Sequence, residues 1–424
     1  MRLGGVDIFH LVNDGEMRAR GLSGNHCAFV VEVDGRLDPR RLERRLAVAA
    51  RALPQLRWRL AGGWPVPPRW EVERRDPPDV AVHSATEVLD GALALLEERL
   101  DGRQPWRLDV LRLPDRDAAV LRWFHPFADA RAAARLVAWL GSGDGDEPEA
   151  VPIGDVAGGS DRALATLGRQ QRIALARAYT AHVMELGRVP TASLVDTVPA
   201  RAWRGGRQRA MRLVLDAEET RAFDRKVRQR ARLAETSVAL LAAVRVLDAE
   251  LYARGLAPAR HLVPVPLSLD PKDERARLFG NALTMMLFHL DRDDLGDERR
   301  AFLRLAEQQR EIVRQKLDVA MLAGLDFASW LPRTGYRWLR DRPFSGAASS
   351  MVVSNPGANE VRRFAGLVVR DAYPLPTVVA PPAFQLTFSR HGGRFAACMG
   401  WVEGVLSPAE ADRALSRLRH ELLT

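Results

Sequence analysis

The sequence predicts an α/β protein with two lobes of similar size. Segments typical of strands alternate with amphipathic helices, and this alternation occurs in both halves of the 424 residues. A stretch rich in Gly, Pro and acidic residues (141–161) separates the halves, as expected of a linker. We therefore predict a first lobe over 1–160, a helical and irregular connection over 161–205, and a second lobe over 206–424.

The first half begins with a strand and an amphipathic helix. Residues 25–35 (NHCAFVVEVDG) are rich in Val and Phe, alternate in polarity and end in Asp-Gly, which is typical of a strand followed by a turn. In the helix that follows, Asp38 is suited to the N-cap and Pro39 to the first turn. Two further strands joined by PDRD lead into another helix. His125 therefore stands where a strand ends, and Asp129 where a helix begins.

The second half repeats the alternation and ends in a capped helix. The hairpin FQLTFSRHGGRFAACMGWV turns at Gly392-Gly393, and Ser407 and Pro408 are suited to the start of the last helix. The pattern predicts, in chain order, a strand and helix start (209–219), a helix (236–255), two strands (260–269 and 279–291), a helix (297–317), a strand (349–357), the hairpin (384–402) and the terminal helix (407–423).

The charge balance argues against nucleic-acid binding. The formal charge is +9, but lysine occurs only at Lys226, Lys272 and Lys316, and the arginines are spread along the chain among Asp, Glu and Ala. Nucleic-acid sites usually have clustered basic residues with interleaved aromatics. An Arg- and Ala-rich, Lys-poor composition is instead typical of a GC-rich bacterial genome. The remaining positive charge favours an anionic partner, such as a coenzyme phosphate or an acidic carrier protein.

The two cysteines, Cys27 and Cys398, both lie in apolar, strand-like surroundings. Two cysteines form neither a disulfide framework nor a zinc cluster, so we expect reduced, packed thiols in a cytoplasmic protein and no metal site. The N-terminus has no apolar run with a cleavage site, and no stretch is apolar enough to span a membrane. Any contact with a membrane is therefore expected to be peripheral.

A histidine four residues before an aspartate occurs three times, in HLVNDG (10–15), HPFADA (125–130) and HLDRD (289–293). Spacing alone cannot identify a catalytic pair, because the chain contains it in three places. The local context differs, since only His125 stands between a strand and a helix.

Several blocks of the chain, in their order, resemble the condensation-domain and acyl-thioester-dependent acyltransferase superfamily. This group includes peptide condensation domains, wax ester synthase/diacylglycerol acyltransferases and polyketide-associated acyltransferases, and has an HHxxxDG motif. The resemblance covers nearly the whole chain. The blocks are VDIF (6–9), DGRLDPRRLERRLAVAARALPQLRWRL (34–60), QPWRLDVLRL (104–113), AVLRWFHPFADARAAARLV (119–137), LVPVPLSL (262–269), FGNALTMM (279–286), VVSNPG (352–357) and FAGLVVRDAYPLP (364–376).

The resemblance implies two chloramphenicol-acetyltransferase-like lobes, each a mixed sheet with flanking helices, and an active-site channel between them. It assigns the catalytic histidine to His125, which would act as the general base because imidazole titrates near neutral pH. Asp129 would pair with an arginine and support the loop without touching substrate. His10 and His289 are interpreted as surface or half-buried structural residues.

The sequence departs from the motif at two positions. Phe124 replaces the first histidine, where a packing side chain is tolerable. Ala130 replaces the glycine, and its methyl group restricts the backbone and the space beside the histidine. The second departure would narrow the channel, change the acceptor or mark a lost activity.

Three further residues have both a functional and a structural interpretation. Ser354 and Asn355 follow a predicted strand, where they would contact the donor's pantetheine arm or an oxyanion, or where Asn355 would cap the turn. Asn281 has the same two interpretations, with the structural one favoured.

The sequence thus predicts an acyltransferase that moves an acyl group from a coenzyme A or carrier-protein thioester to a hydroxyl or amine of a small molecule. The donor is a substrate, and no bound cofactor is expected. The alternative is a binding or scaffold protein that kept the fold and lost the reaction, with a carrier protein or a lipid-like molecule as its ligand. We expect no nucleic-acid partner.

Overall fold

The computed structural model describes residues 1–63, 66–74, 76–142, 159–231, 235–270, 277–344, 347–375 and 377–424. Most of the segment proposed as a linker (141–161) lies outside these ranges. Within the described ranges, no helix is both long and apolar enough to cross a membrane.

Strands make up four sheets in the described residues. The strands are β1 (His26–Val33), β2 (Trp58–Gly63), β3 (Val66–Val72), β4 (Ala81–Ser84), β5 (Trp106–Arg112), β6 (Asp117–Phe124), β7 (Gln208–Val214), β8 (Arg260–Ser268), β9 (Leu283–Asp291), β10 (Val352–Ser354), β11 (Arg363–Phe364), β12 (Leu367–Leu375), β13 (Phe384–His391) and β14 (Arg394–Val402).

Helices cover the sheets, and two of them begin at the caps that the sequence predicts. Asp38 accepts a hydrogen bond from the Arg40 N–H, and Ser407 accepts one from the Glu410 N–H. The helices are α1 (Gly5–Ala19), α2 (Pro39–Ala52), α3 (Val88–Glu97), α4 (Ala130–Gly141), α5 (Gly159–Ala165), α6 (Arg169–Leu186), α7 (Ala200–Trp203), α8 (Ala217–Lys226), α9 (Glu235–Ala253), α10 (Arg292–Leu295), α11 (Glu298–Arg314), α12 (Leu317–Ala328), α13 (Arg333–Asp341) and α14 (Pro408–Leu423).

The first sheet has six strands in the order β11-β12-β1-β6-β5-β4. β4 and β5 are parallel, and the remaining neighbours are antiparallel, so the sheet is mixed. Alternate side chains of β1 enter different cores. Phe29 and Val31 pack with residues of α2 and α4, whereas Ala28 and Val30 pack with residues of α3. Burial on both faces explains why β1 is apolar almost throughout.

The second sheet has the order β10-β13-β14-β7 and is also mixed, because β10 and β13 are parallel. β13 and β14 form the predicted hairpin, and both turn glycines, Gly392 and Gly393, have positive φ, as a two-residue hairpin turn requires. Residues of α8, α9 and α14 pack with this sheet in the largest core. The two mixed sheets with flanking helices confirm the predicted α/β class.

The strands do not follow the sequence boundaries between the lobes. β11 and β12 belong to the predicted second lobe (206–424), yet they lie in the first sheet. β12 pairs with β1 from Ala28 opposite Leu375 to Val33 opposite Val369. β1 needs a hydrogen-bonding partner on the edge away from β6, and a segment distant in sequence supplies it. Side-chain periodicity reveals a strand but not its partner.

Two helices that the sequence patterns did not reveal pack closely together. α1 and α12 both begin without a capping side chain, which removed the usual signal for a helix start. A Cβ on Gly5 of α1 would lie only 2.6 Å from the carbonyl carbon of Leu325 in α12, so glycine permits the close approach. This pair places α1 against the loop that follows β6.

Candidate active site

His125 is the first residue after β6 and lies in a single 3₁₀ turn (His125–Phe127). Its N–H donates to the Asn25 carbonyl at 3.0 Å, and its own carbonyl accepts from Asn281 Nδ2 at 3.0 Å. The residue is partly exposed, but Nδ1 is buried and has no hydrogen-bond partner among the described residues. Nε2 is therefore the ring nitrogen that can reach a substrate.

Asp129 is the N-cap of α4, and its carboxylate also contacts two residues of the second half of the chain. Its Oδ1 accepts from the Ala132 N–H at 2.9 Å, and its Oδ2 accepts from the Ala282 N–H at 3.0 Å. Oδ2 also forms a short ion pair with Arg277, whose side chain is only 6% exposed. Arg277 is thus the arginine that the sequence could not identify. Burial alone would raise the pKa of Asp129, but Arg277 and the two N–H donors outweigh burial and lower it.

Arg277 also fixes the backbone on which the His125 loop rests. Its Nη1 donates to the carbonyls of Phe279 and Gly280. Gly280 in turn donates to the Phe127 carbonyl at 2.7 Å and accepts from the Asp129 N–H at 3.1 Å. These bonds join the loop after β6 to the segment before β9.

Asn281 holds α1 against the same loop. Its Nδ2 donates to Asp7 Oδ1 at 2.9 Å as well as to the His125 carbonyl, so both amide hydrogens have partners within the protein. The second oxygen of Asp7 accepts from the Gly4 N–H at 3.1 Å. The structure therefore gives Asn281 a bracing contact, with no amide hydrogen left for a donor or an oxyanion.

His10 of α1 stacks on His125, with ring centroids 3.5 Å apart and an interplanar angle of 13°. The His10 side chain is buried, with only 5% of the residue exposed. This burial contradicts the interpretation of His10 as a surface or half-buried residue. Its Nδ1 lies 3.3 Å from Asn25 Nδ2, and its Nε2 is buried without a partner in the described structure. Burial and the charge of His125 hold the pKa of His10 well below its usual value.

Cys27 of β1 also lies beside His125. Its Sγ is 3.5 Å from Thr377 Oγ1. Burial raises the pKa of this thiol, but the neighbouring His125 imidazolium and Thr377 outweigh burial, and the net shift is downward. In return, burial lowers the pKa of His125, whereas the Cys27 thiolate and Asp129 raise it above its usual value. Cys27 is thus a free, buried thiol, as the sequence suggested, and it also lies next to His125.

Cys398, by contrast, is a packed thiol. It lies in a separate apolar cluster, where burial raises its pKa to about 12. No group of three or more His, Cys, Asp or Glu side chains in the described ranges could hold a metal ion.

The two departures from the motif lie in different surroundings. Phe124 is 2% exposed and belongs to the core of the first sheet. Its ring is in a T-shaped arrangement with that of His26, with the ring centroids 6.3 Å apart. Ala130 is the first residue of α4 and lines a cavity. Phe124 therefore packs, as the sequence suggested, whereas Ala130 borders the cavity.

The cavity has a volume of about 230 Å³ and is bounded by residues of both sequence halves. Asp129, Ala130 and Arg131 form one wall, and the Arg131 side chain reaches across to the Pro356 carbonyl at 2.9 Å. The remaining lining residues, from α9, β8, β9, α11 and the end of β10, are Thr236, Ser237, Leu240, Val265, Pro266, Leu267, Ser268, Ala282, Leu283, Met286, Phe288, Gln309, Ser354, Asn355 and Pro356.

Ser354 and Asn355 line this cavity in different ways. Asn355 caps its turn, since its Oδ1 accepts from the Gly357 N–H at 3.1 Å while Nδ2 donates to Glu235 and Thr236 at 3.2 Å each. Ser354 ends β10 beside the same space. The Asn355 amide is thus engaged within the protein. The Ser354 hydroxyl has no hydrogen-bond partner among the described residues, so it is free to bind a ligand.

Solved structures provide the comparisons that match this chain. No protein-family model and no curated protein matches the chain. Among solved structures, polyketide synthase associated protein 5 from Mycobacterium tuberculosis has a TM-score of 0.67 at 16% identity, covering 94% of each chain. The first condensation domain of the calcium-dependent antibiotic synthetase has a TM-score of 0.69 at 15% identity, covering 100% of this chain and 97% of the other.

A third match is the wax ester synthase/diacylglycerol acyltransferase from Marinobacter aquaeolei VT8, with a TM-score of 0.60 at 13% identity, covering 100% and 98% of the two chains. The chain has the condensation-domain/acyltransferase fold. The resemblance drawn from the sequence blocks is thereby confirmed at the level of the fold. At these identities the condensation-domain fold alone does not define a substrate.

The condensation-domain fold also brings together residues that sequence reasoning missed. Arg277, His10 and Cys27 each contact the His125 loop from a different segment. The HLVNDG spacing is a signal for His10, but no strand precedes it, so its local context does not distinguish it as a site residue. For Arg277 and Cys27 the sequence offers no signal that separates them from other arginines or from a core thiol.

We predict that Asp129→Ala lowers the free energy of unfolding by about 2–4 kcal/mol, because it removes the cap of α4 and one of the two carboxylates that pair with the buried Arg277 guanidinium, the other being Asp270. Asp129→Asn should retain the cap on Ala132 and still lose much of this stability, since the charge is gone. The measurement is denaturant unfolding of both variants. Asp115→Asn is the matched control, because Asp115 pairs with Arg116 at the surface and should leave stability unchanged. A fully stable Asp129→Ala would contradict the importance of this ion pair.

Proposed function

We propose that this protein is an acyltransferase that moves an acyl group from a coenzyme A or carrier-protein thioester to a hydroxyl or amine of a small molecule. The single observation behind the proposal is the environment of His125. Its backbone is hydrogen-bonded at both the N–H and the carbonyl, and its partly exposed ring stands at the loop that ends beside the cavity. A general base held in one geometry is what this reaction needs.

In the proposed reaction, the acceptor's oxygen or nitrogen attacks the thioester carbonyl while His125 Nε2 takes its proton. The C–O or C–N bond forms and the carbonyl becomes an oxyanion. When this intermediate collapses, the C–S bond breaks and the leaving thiolate receives the proton from the imidazolium. The products are an ester or amide and a free thiol, and the histidine is restored. The thioester supplies the activated acyl group, so the step needs no bound cofactor.

The cavity next to Ala130 is the proposed place for part of the donor. Its walls combine apolar side chains such as Met286 and Phe288 with the Ser354 hydroxyl, which would meet a polar group of a pantetheine arm. Asn355 and Asn281 are assigned to bracing instead, because their amide hydrogens are engaged within the protein.

The set of residues that line the cavity supports a second candidate function. Its lining includes Asp129 and Ala130 but not His125, and the motif departs from its usual form at Phe124 and Ala130. A protein that binds a pantetheine-bearing carrier or a lipid-like molecule in this space, without turnover, fits the same contacts. The two functions differ in whether thiol is released.

We predict that the wild-type protein releases free thiol from an acyl-CoA or acyl-carrier thioester in the presence of alcohol or amine acceptors, and that His125→Ala lowers this rate by about 100- to 10,000-fold. Thiol release is followed with a chromogenic disulfide reagent. His289→Ala is the control, because it has the same spacing to an aspartate but lies in β9, where its ring contacts Arg304.

Equal rates for the wild type and His125→Ala would remove His125 as the base. If neither protein consumes any thioester while a loaded carrier still binds, the second candidate function is the correct one.

We predict that Cys27→Ser moves the acidic limb of the kcat/KM profile to lower pH. The Cys27 thiolate raises the pKa of His125, and the base must be deprotonated to act, so removing the thiolate makes neutral imidazole available at lower pH. The pH–rate profile is the measurement. Cys398→Ser is the matched control, since that buried thiol belongs to a separate cluster. An unmoved profile in Cys27→Ser would contradict the coupling.

We predict that His10→Ala lowers kcat by about 10- to 100-fold with little change in KM, because the His125 ring loses the face on which it stacks. His10→Phe retains an aromatic face and should keep most of the activity. Steady-state kinetics and thermal melting of both variants are the measurements. If both variants melt lower but turn over at the wild-type rate, His10 has only a packing role.

A further inference from the structure

A group of large apolar side chains is exposed between the end of α12 and the end of α13. Trp330 is 62% exposed and Trp338 59%, while Phe327, Leu331 and Leu339 are each 41–42% exposed. We call these five residues the tryptophan surface. Large apolar side chains are normally exposed singly on a soluble protein, so five within thirteen consecutive residues indicate a binding surface.

The five side chains lie on both sides of the turn at Pro332, between the end of α12 and the end of α13. A Cβ on Gly335 would lie 3.7 Å from the Leu331 Cβ, so Leu331 packs over the start of α13 on the side of residue 335. Trp338 and Leu339 follow Gly335 by three and four residues and therefore share that side of the helix. Phe327 precedes Leu331 by four residues.

The opposite side of α13 is the one that holds it to the protein. Tyr336 is only 2% exposed and packs with Val12 of α1 and Ala328. Arg340 donates to Asn13 Oδ1 at 3.1 Å and pairs with Glu16, both on α1. The helix is thus anchored through one face, and its aromatic face has no covering element among the described residues.

Two arginines lie against the tryptophan surface. The Arg2 guanidinium lies 3.9 Å above the Trp330 ring, and that of Arg342 lies 4.7 Å from the Trp338 ring. Arg337 and Arg340 instead lie on the anchored side of α13, where both pair with Glu16 of α1. The surface is therefore apolar at its centre and positive at its edge.

We propose that the tryptophan surface binds the interface of an anionic lipid membrane. Tryptophan favours the level of the headgroups, Leu and Phe enter the acyl boundary, and guanidinium groups bind lipid phosphates. A second copy of the chain fits less well, because a two-fold contact would bring one set of arginines against another. This binding does not depend on the acyl-transfer reaction.

The experiment is sedimentation of the full-length protein with vesicles of phosphatidylcholine alone or mixed with phosphatidylserine, without substrate. We expect binding to the anionic vesicles that weakens as salt is added. The double variant Trp330→Ser/Trp338→Ser should lower the partition coefficient by about tenfold or more, since two large apolar side chains no longer enter the interface. Unchanged circular dichroism and melting would show that the variant is folded.

Tyr252→Ser is the matched control, because Tyr252 is 64% exposed and also lies under an arginine, Arg292 at 4.8 Å, but belongs to α9. It should bind vesicles like the wild type. Failure of the wild type to bind either vesicle, or equal binding by the double variant, overturns the proposal. A concentration-dependent dimer that is lost in the double variant would identify the surface as a contact between copies instead.

Discussion

The ion pair between Asp129 and Arg277 is the contact on which the site depends, because one carboxylate fixes three elements. It caps α4, accepts from the Ala282 N–H before β9, and neutralises a buried guanidinium 148 residues away in sequence. Burying both charges is costly, so such a pair contributes more to a defined arrangement than to net stability. Here it sets the position of the His125 loop against the second sequence half, with Gly280 hydrogen-bonded to the loop backbone.

A loop held in this way places the His125 ring with little freedom, yet the polar groups around the ring are poorly satisfied. Nδ1 of His125, Nε2 of His10 and the side-chain oxygens of Asn25 and Asn281 are all buried without hydrogen-bond partners among the described residues. Most buried polar atoms in native proteins have a partner, and exceptions concentrate where a ligand or a reaction supplies it. Their convergence on one imidazole supports the proposed role of His125 independently of any motif.

The sequence predicted the features that local chemistry decides. The caps at Asp38 and Ser407 follow from side chains that hydrogen-bond within one turn, and the strand that ends before His125 and the helix that begins after Asp129 follow from local patterns. Features set by tertiary contacts were not predictable. β12 joins the first sheet across more than 300 residues of chain (Ala28 opposite Leu375), and Arg277 is one arginine among many in a sequence with few lysines.

His10 is the most instructive of the missed residues. The HHxxxDG motif has a histidine directly before the second one, and this chain has Phe124 there. The fold nevertheless brings a second imidazole to His125, that of His10. Phe124 is buried in the core and supplies packing, whereas the ring beside His125 comes from α1. Burial and the neighbouring charge of His125 lower the pKa of His10, which favours the neutral form of the ring that stacks on His125. α1 thus contacts the His125 ring through His10 and, through Asn13 and Glu16, also holds α13 with its exposed tryptophan. One helix therefore connects the proposed site of chemistry to the proposed membrane surface, which fixes the orientation of the site relative to that surface.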